Sequence, residues 1–178
     1  MSRFLAVLSE MCVSENVLLK NIPSEKIDIA IKKNFSYIWK IYYELQIPMM
    51  INYKKIFKDL ESFHIFGACT VNQHLHARKL ALDYMNRESF IKSIYSIPNM
   101  KGINAMSISD ITGIPRATVI RKLKILVIKK NLSIDDKKHY RLTGNSAKIL
   151  SPLQKIVITK LAYFSTQIFN LYLFSKKN

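Results

Sequence analysis

Apolar positions recur at three- and four-residue steps along most of this chain, the period of a helix with one buried face. Phe4, Leu5, Leu8, Met11 and Cys12 follow it weakly within residues 3–20. Ile22-Pro23-Ser24-Glu25 is a break and a restart. Ile31, Phe35, Ile38, Trp39, Tyr42 and Leu45 then predict a helix from Ile27 to Leu45 whose aromatic-rich face turns into the core. Pro48 interrupts it. Tyr53, Ile56, Phe57, Leu60 and Phe63 resume the period toward Val71 and Leu75, with Gly67-Ala68-Cys69 marking a close helix crossing or a break. Residues 78–97 predict a further helix, and Pro98–Gly102 a loop. Past a turn at Thr143–Ser146, Leu153, Val157, Leu161, Phe164, Ile168, Leu171 and Phe174 trace a near-heptad seam on a helix of about 24 residues.

The stretch from Ile108 to Leu142 has a different grammar. Ser107 or Ser109 can cap a short helix, with Asp110 in its first turn. Gly113 ends that helix, since glycine turns left-handed without steric cost, and Pro115 suits the first position of the next. Val119, Leu123 and Leu126 share one buried face of this second helix, leaving Arg116, Thr118, Arg121, Lys122 and Lys124 on the remaining arc. Asn131 takes the left-handed turn after Lys129 and Lys130. Leu132 and Ile134, then Tyr140 and Leu142, alternate with polar residues around Asp135-Asp136-Lys137-Lys138, which predicts a β-hairpin with a basic tip.

Charge sharpens this reading. The 178 residues hold 28 Lys and Arg against 12 Asp and Glu, a net +16, which favours an anionic partner. Lys, Ile and Asn are abundant throughout, so local clustering carries more weight than the total. Arg116 to Arg141 hold nine Lys/Arg against Asp135 and Asp136, a net +7 in 26 residues, whereas Met1 to Leu60 hold nine against six, a net +3.

Other chemistries find no support. Cys12 and Cys69 form neither a disulfide framework nor a zinc pair, which points to a reducing cytoplasm. His74 and His76 are two apart and share no helix face, so no metal site is expected. A phosphate-binding glycine loop and a nucleophile set beside a base are both missing, so neither an enzyme nor a cofactor is expected. The uncharged run from Leu161 to Ser175 is too short and too interrupted to span a membrane, and no membrane association is expected. Trp39, Tyr42 and Tyr43 would suit a small-molecule effector pocket, though spacing does not distinguish such a cavity from a filled core.

Gly113-Ile114-Pro115-Arg116-Ala117-Thr118-Val119, with Arg121 and Leu123, resembles the turn and recognition helix of winged helix-turn-helix transcription regulators. Tyr140-Arg141-Leu142-Thr143 resembles the return strand of their wing, and the MarR-like and IclR-like families compare best. The resemblance implies a mainly α protein with a small β-wing. N-terminal helices (1–85) and a long C-terminal helix (146–178) would flank a winged helix-turn-helix domain (86–145). It also implies a sequence-specific regulator bound to double-stranded DNA in the cytoplasm at the nucleoid. Arg116, Thr118 and Arg121 would approach base edges beside Ala117, and Lys122, Lys124, Lys137, Lys138 and Arg141 would neutralise phosphates. Ile120, where such families often carry a small polar residue, either meets a thymine methyl or packs against protein. The C-terminal seam either joins two copies, as two-fold operator symmetry favours, or packs on the chain's own N-terminal helices. The competing reading is a winged-helix module that docks on protein without reading DNA.

Overall fold

The computed structural model describes residues 1–79 and 101–174, so the helix expected at 78–97 and the boundary expected at 86 lie outside the described residues. The described chain is mainly helical with one small antiparallel sheet. Its elements are α1 (Ser2–Ser14), α2 (Ser24–Lys33), α3 (Phe35–Phe57), α4 (Leu60–Lys79), α5 (Ala105–Thr112), α6 (Arg116–Ile128), β1 (Leu132–Ile134), β2 (Tyr140–Leu142) and α7 (Gly144–Phe174). The chain divides into two compact units, one of residues 1–49 with the chain from Lys155 onward, the other of residues 50–154. Both α3 and α7 pass from one unit to the other.

In the first unit, Leu5, Ile27, Ile38, Ile41, Leu45, Phe164 and Ile168 form the core. Ser9 ties the middle of α1 to the segment before α2: its buried hydroxyl accepts from Ile22 N at 2.9 Å and donates to Ala6 O at 2.7 Å. The single helix expected over Ile27–Leu45 is two. Asn34 closes α2 by donating both its backbone N–H and its side-chain amide to Ala30 O, and its own carbonyl accepts from Ile38 N to open α3. The expected burial of aromatics is overturned as well. Ile38, Ile41 and Leu45 take the inward face, leaving Phe35 57%, Trp39 43% and Tyr43 45% exposed. Helices run through Pro48 and Pro152, so neither proline ends an element.

The C-terminal helix begins at Gly144, where a turn was expected, and spans 31 residues. Within the first unit, Phe164 and Ile168 of its seam are buried against the N-terminal helices of the same chain, with Phe169 and Tyr172 beside them, while Phe174 is 66% exposed.

In the second unit, Phe57, Ile65, Phe66 and Cys69 from α3 and α4 pack with Ile108 of α5, Val119, Leu123 and Leu126 of α6, and Leu132, Tyr140 and Leu142 of the sheet. Burial pushes the Cys69 thiol up to about 12, so it is inert packing. Gly67 lies within α4 and a Cβ there would meet nothing within 4 Å, so it marks neither a break nor a tight crossing.

Candidate nucleic-acid interface

α5 is capped by Asn104, whose Oδ1 accepts from Ser107 N at 2.9 Å; neither Ser107 nor Ser109 is the cap, and Asp110 lies beyond the first turn. Gly113 ends the helix with φ 69°, its N–H donating to Ser109 O at 2.8 Å. The link to α6 is Gly113-Ile114-Pro115. Ser109 Oγ holds this turn from within by donating to Ile114 O at 2.7 Å, and Pro115 serves as N-cap, one residue earlier than expected. After α6 the left-handed residue is Lys130, φ 58°, and not Asn131. Asn131 is buried instead, its carbonyl accepting from the hydroxyls of Ser146 and Thr143 and so binding the start of α7 to the end of α6.

Val119, Leu123 and Leu126 are buried as the spacing predicts. Arg116, Ala117, Arg121 and Lys124 are exposed, and Thr118 and Ile120 half-buried. Lys122 is the correction. Its side chain is 9% exposed, and Nζ donates to Asp59 Oδ2 at 2.6 Å with Glu61 Oε2 at 3.6 Å, so it is unavailable to a phosphate. Burial alone would raise the Asp59 carboxyl, but hydrogen bonds from Lys122 and Ser62 outweigh it and leave it below the usual carboxylate value.

The hairpin has the expected alternation, with Leu132 opposite Leu142, Ser133 opposite Arg141 and Ile134 opposite Tyr140. Ile134 is 47% exposed, so the buried face narrows toward the tip. Asp135 pairs with His139 across a three-residue loop that ends in Lys138 at φ 61°, a tight hairpin turn with its left-handed residue last. The Asp135 carboxylate accepts from Lys137 N and His139 N through Oδ1 and from Arg141 Nη2 at 3.0 Å through Oδ2. Those backbone bonds, the one from His139 foremost, hold the carboxyl below the ordinary carboxylate pKa. Arg141 therefore braces the hairpin. It is half-buried, with Nε buried and without a hydrogen-bond partner among the described residues. Lys137 and Lys138 stay exposed at the tip.

One part of the site carried no sequence signal. Ile103 bridges to Tyr140 by two backbone hydrogen bonds of 3.1 and 2.8 Å, adding a short third rung beside β2. Gly102 permits this approach, because a Cβ there would lie 2.8 Å from Tyr140 O. Arg116, Ile120 and Lys124, one row of α6, line a concavity of about 550 Å³ with Met106, Ile134, Lys138 and Tyr140. Cations from the helix and the hairpin thus converge on one hollow. A second hollow of about 500 Å³ lies along α4 and α5, lined by Phe63, His64, Val71, Asn72, Leu75 and Ile111.

No protein-family model matches the chain, and no curated protein or solved structure matches it. Among the described residues, no three His, Cys, Asp or Glu side chains are grouped to hold a metal, and no helix is long and apolar enough to cross a membrane.

Proposed function

We propose that this chain is a sequence-specific DNA-binding transcription regulator of the winged helix-turn-helix type, acting as a homodimer at the nucleoid. One observation carries the reading: Arg116 and Lys124 of α6 and Lys138 of the hairpin tip line the same concavity, with Arg121 and Lys137 exposed on the same two elements. α6 has 13 residues, about 20 Å of helix, and a helix with its side chains fits a major groove about 12 Å wide. In this reading Arg116, Thr118 and Arg121 face base edges beside Ala117. Ile120 meets a thymine methyl, and Lys124, Lys137 and Lys138 hold phosphates. Ser109 holds the turn into α6, and the bridge from Ile103 ties the segment before α5 to the hairpin, which supports a fixed register between them.

The alternative, a protein-docking module, draws on Ile125 and Ile128, which are 39% and 78% exposed on the same helix. Selection of bound fragments from a random duplex library separates the two. Enrichment of a two-fold symmetric site is expected of the regulator; recovery of no sequence above background would leave the docking module.

A further inference from the structure

α3 carries two apolar rows, and the core of the first unit uses only one. Phe35, Trp39, Tyr43 and Ile47 form the outward row in steps of four residues, 57%, 43%, 45% and 51% exposed. Their rings are already ordered. Trp39 stacks on Phe35 and on Tyr42 with centroids 5.5 Å apart, and meets Tyr43 edge-on at 5.3 Å. Tyr42 is anchored from beneath by Phe164, and its hydroxyl accepts from Gln46 Nε2 at 2.8 Å. Covering rings held this way costs little side-chain freedom, the property of an interface hot spot. Four large side chains, half exposed at roughly 200 Å² apiece, offer about 400 Å². That suits the apolar centre of an interface burying about 800 Å² per partner, with a polar rim supplying the remainder.

We propose that this row joins two copies of the chain, packed antiparallel across a two-fold axis at Tyr42. Side chains four residues apart are about 6 Å apart along a helix, and an axis at residue 42 offsets the second copy's row by half that step. The second copy's Ile47 then falls between Phe35 and Trp39, and its Tyr43 between Trp39 and Tyr43, so the rows interdigitate. Charge selects the same axis. Lys40 and Glu44 lie on one flank of the row, 3.9 Å apart within the chain and both well exposed. A two-fold axis brings like flanks together in reversed order, so at residue 42 Lys40 stands level with the second copy's Glu44, and Glu44 with its Lys40. Steric and electrostatic registers coincide.

This inference gives a surface to the homodimer proposed above and rests on that part of the reading alone; its test contains no DNA, so failure to dimerise and failure to bind DNA are read separately. The full chain is followed by sedimentation across the micromolar range together with the fluorescence of Trp39, the one tryptophan present. Dimer mass and a blue-shifted, quencher-protected emission should rise with one midpoint. Lys40→Glu sets like charges opposite one another at two places and should raise the dissociation constant about tenfold or more. Adding Glu44→Lys reverses both partners and should restore it to within about threefold. Trp39→Ala should abolish the dimer with helicity unchanged. A monomer at every concentration overturns the proposal. So does a dimer whose Trp39 emission does not move, or one that Lys40→Glu leaves intact or the double exchange fails to rescue.

Discussion

Arg121 and Lys122 are sequence neighbours of like charge with opposite placement, which makes the salt dependence of DNA binding a sharp test. Five exposed cations belong to the proposed surface: Arg116, Arg121, Lys124, Lys137 and Lys138. On a random duplex Arg116 and Arg121 have no cognate base to read and join the three lysines on phosphates, so log K falls against log salt with a slope of about −4.5, a loss of about 500-fold between 50 and 200 mM. Lys137→Ala with Lys138→Ala removes two contacts and should flatten the slope to about −2.7, or about 40-fold over that range. Lys122→Met removes an equal unit of charge from the next position but should leave the slope unchanged, because Nζ faces Asp59 and not solvent. The assay is anisotropy of a labelled random duplex titrated at four or more salt concentrations. A wild-type slope shallower than about −1 would refute the interface, and a slope that drops for Lys122→Met as much as for Arg121→Ala would refute its assigned geometry.

Other outcomes concern the frame that holds this surface. Gly102→Ala sets a methyl against Tyr140 O at 2.8 Å, a backbone atom with little room to yield, and should cost about 1–3 kcal/mol in urea unfolding. Ser9→Ala strands the Ile22 N–H in a buried site and should cost about 1–3 kcal/mol, with the loss confined to amide protection near α1 and α2. Breaking the Lys122 pair should be asymmetric. Lys122→Met frees carboxylates that are 37% and 52% exposed and rehydrate, costing about 1 kcal/mol or less, whereas Asp59→Ala leaves a 9%-exposed ammonium with only Glu61 at 3.6 Å and should cost about 3 kcal/mol. The Asp59 carboxyl is depressed in the folded chain, so its contribution is present above the unfolded value of about 3.9 and is lost as pH falls through the folded value. Asp59→Asn should remove that acid limb from the pH–stability curve.

What could be read from residue order is what local chemistry decides. Gly113 at φ 69° and Pro115 just ahead of a helix follow from backbone sterics alone, and the shared buried face of Leu132 and Leu142 follows from period-two alternation. Long-range partners left no such mark. Lys122 meets a carboxylate 63 residues upstream, and the rung at Ile103 is too short to alternate. The aromatics of α3 show a different limit. Ile38-Ile41-Leu45 and Phe35-Trp39-Tyr43 both keep helical spacing, and periodicity measures the existence of a face without saying which of two faces the core will choose.

The same ambiguity bears on α6, and there the ion pair resolves it. Ile120, Ile125, Val127 and Ile128 are as apolar as Val119, Leu123 and Leu126, so hydrophobic burial alone only weakly prefers one roll of this helix about its axis. Successive residues project about 100° apart. A roll of one residue would carry Lys122 outward and draw Leu123's neighbour Lys124 toward the core. That roll would set the Lys124 ammonium in the buried place of Leu123 and give up the 2.6 Å pair of Lys122 with Asp59, so burial cost and ion pair favour the same face. The inward lysine thereby sets which cations face out. It costs the local field little: of the nine cations from Arg116 to Arg141, Lys122 and Arg141 are paired, and the seven left face only the unpaired Asp136, a net +6 against the +7 counted from residues alone. Pairing to Asp59 and Glu61, which lie outside that window, orients the surface without discharging it. Of the four cations on α6, three face outward and Lys122 alone is turned in, and that pairing gives the basic helix its direction.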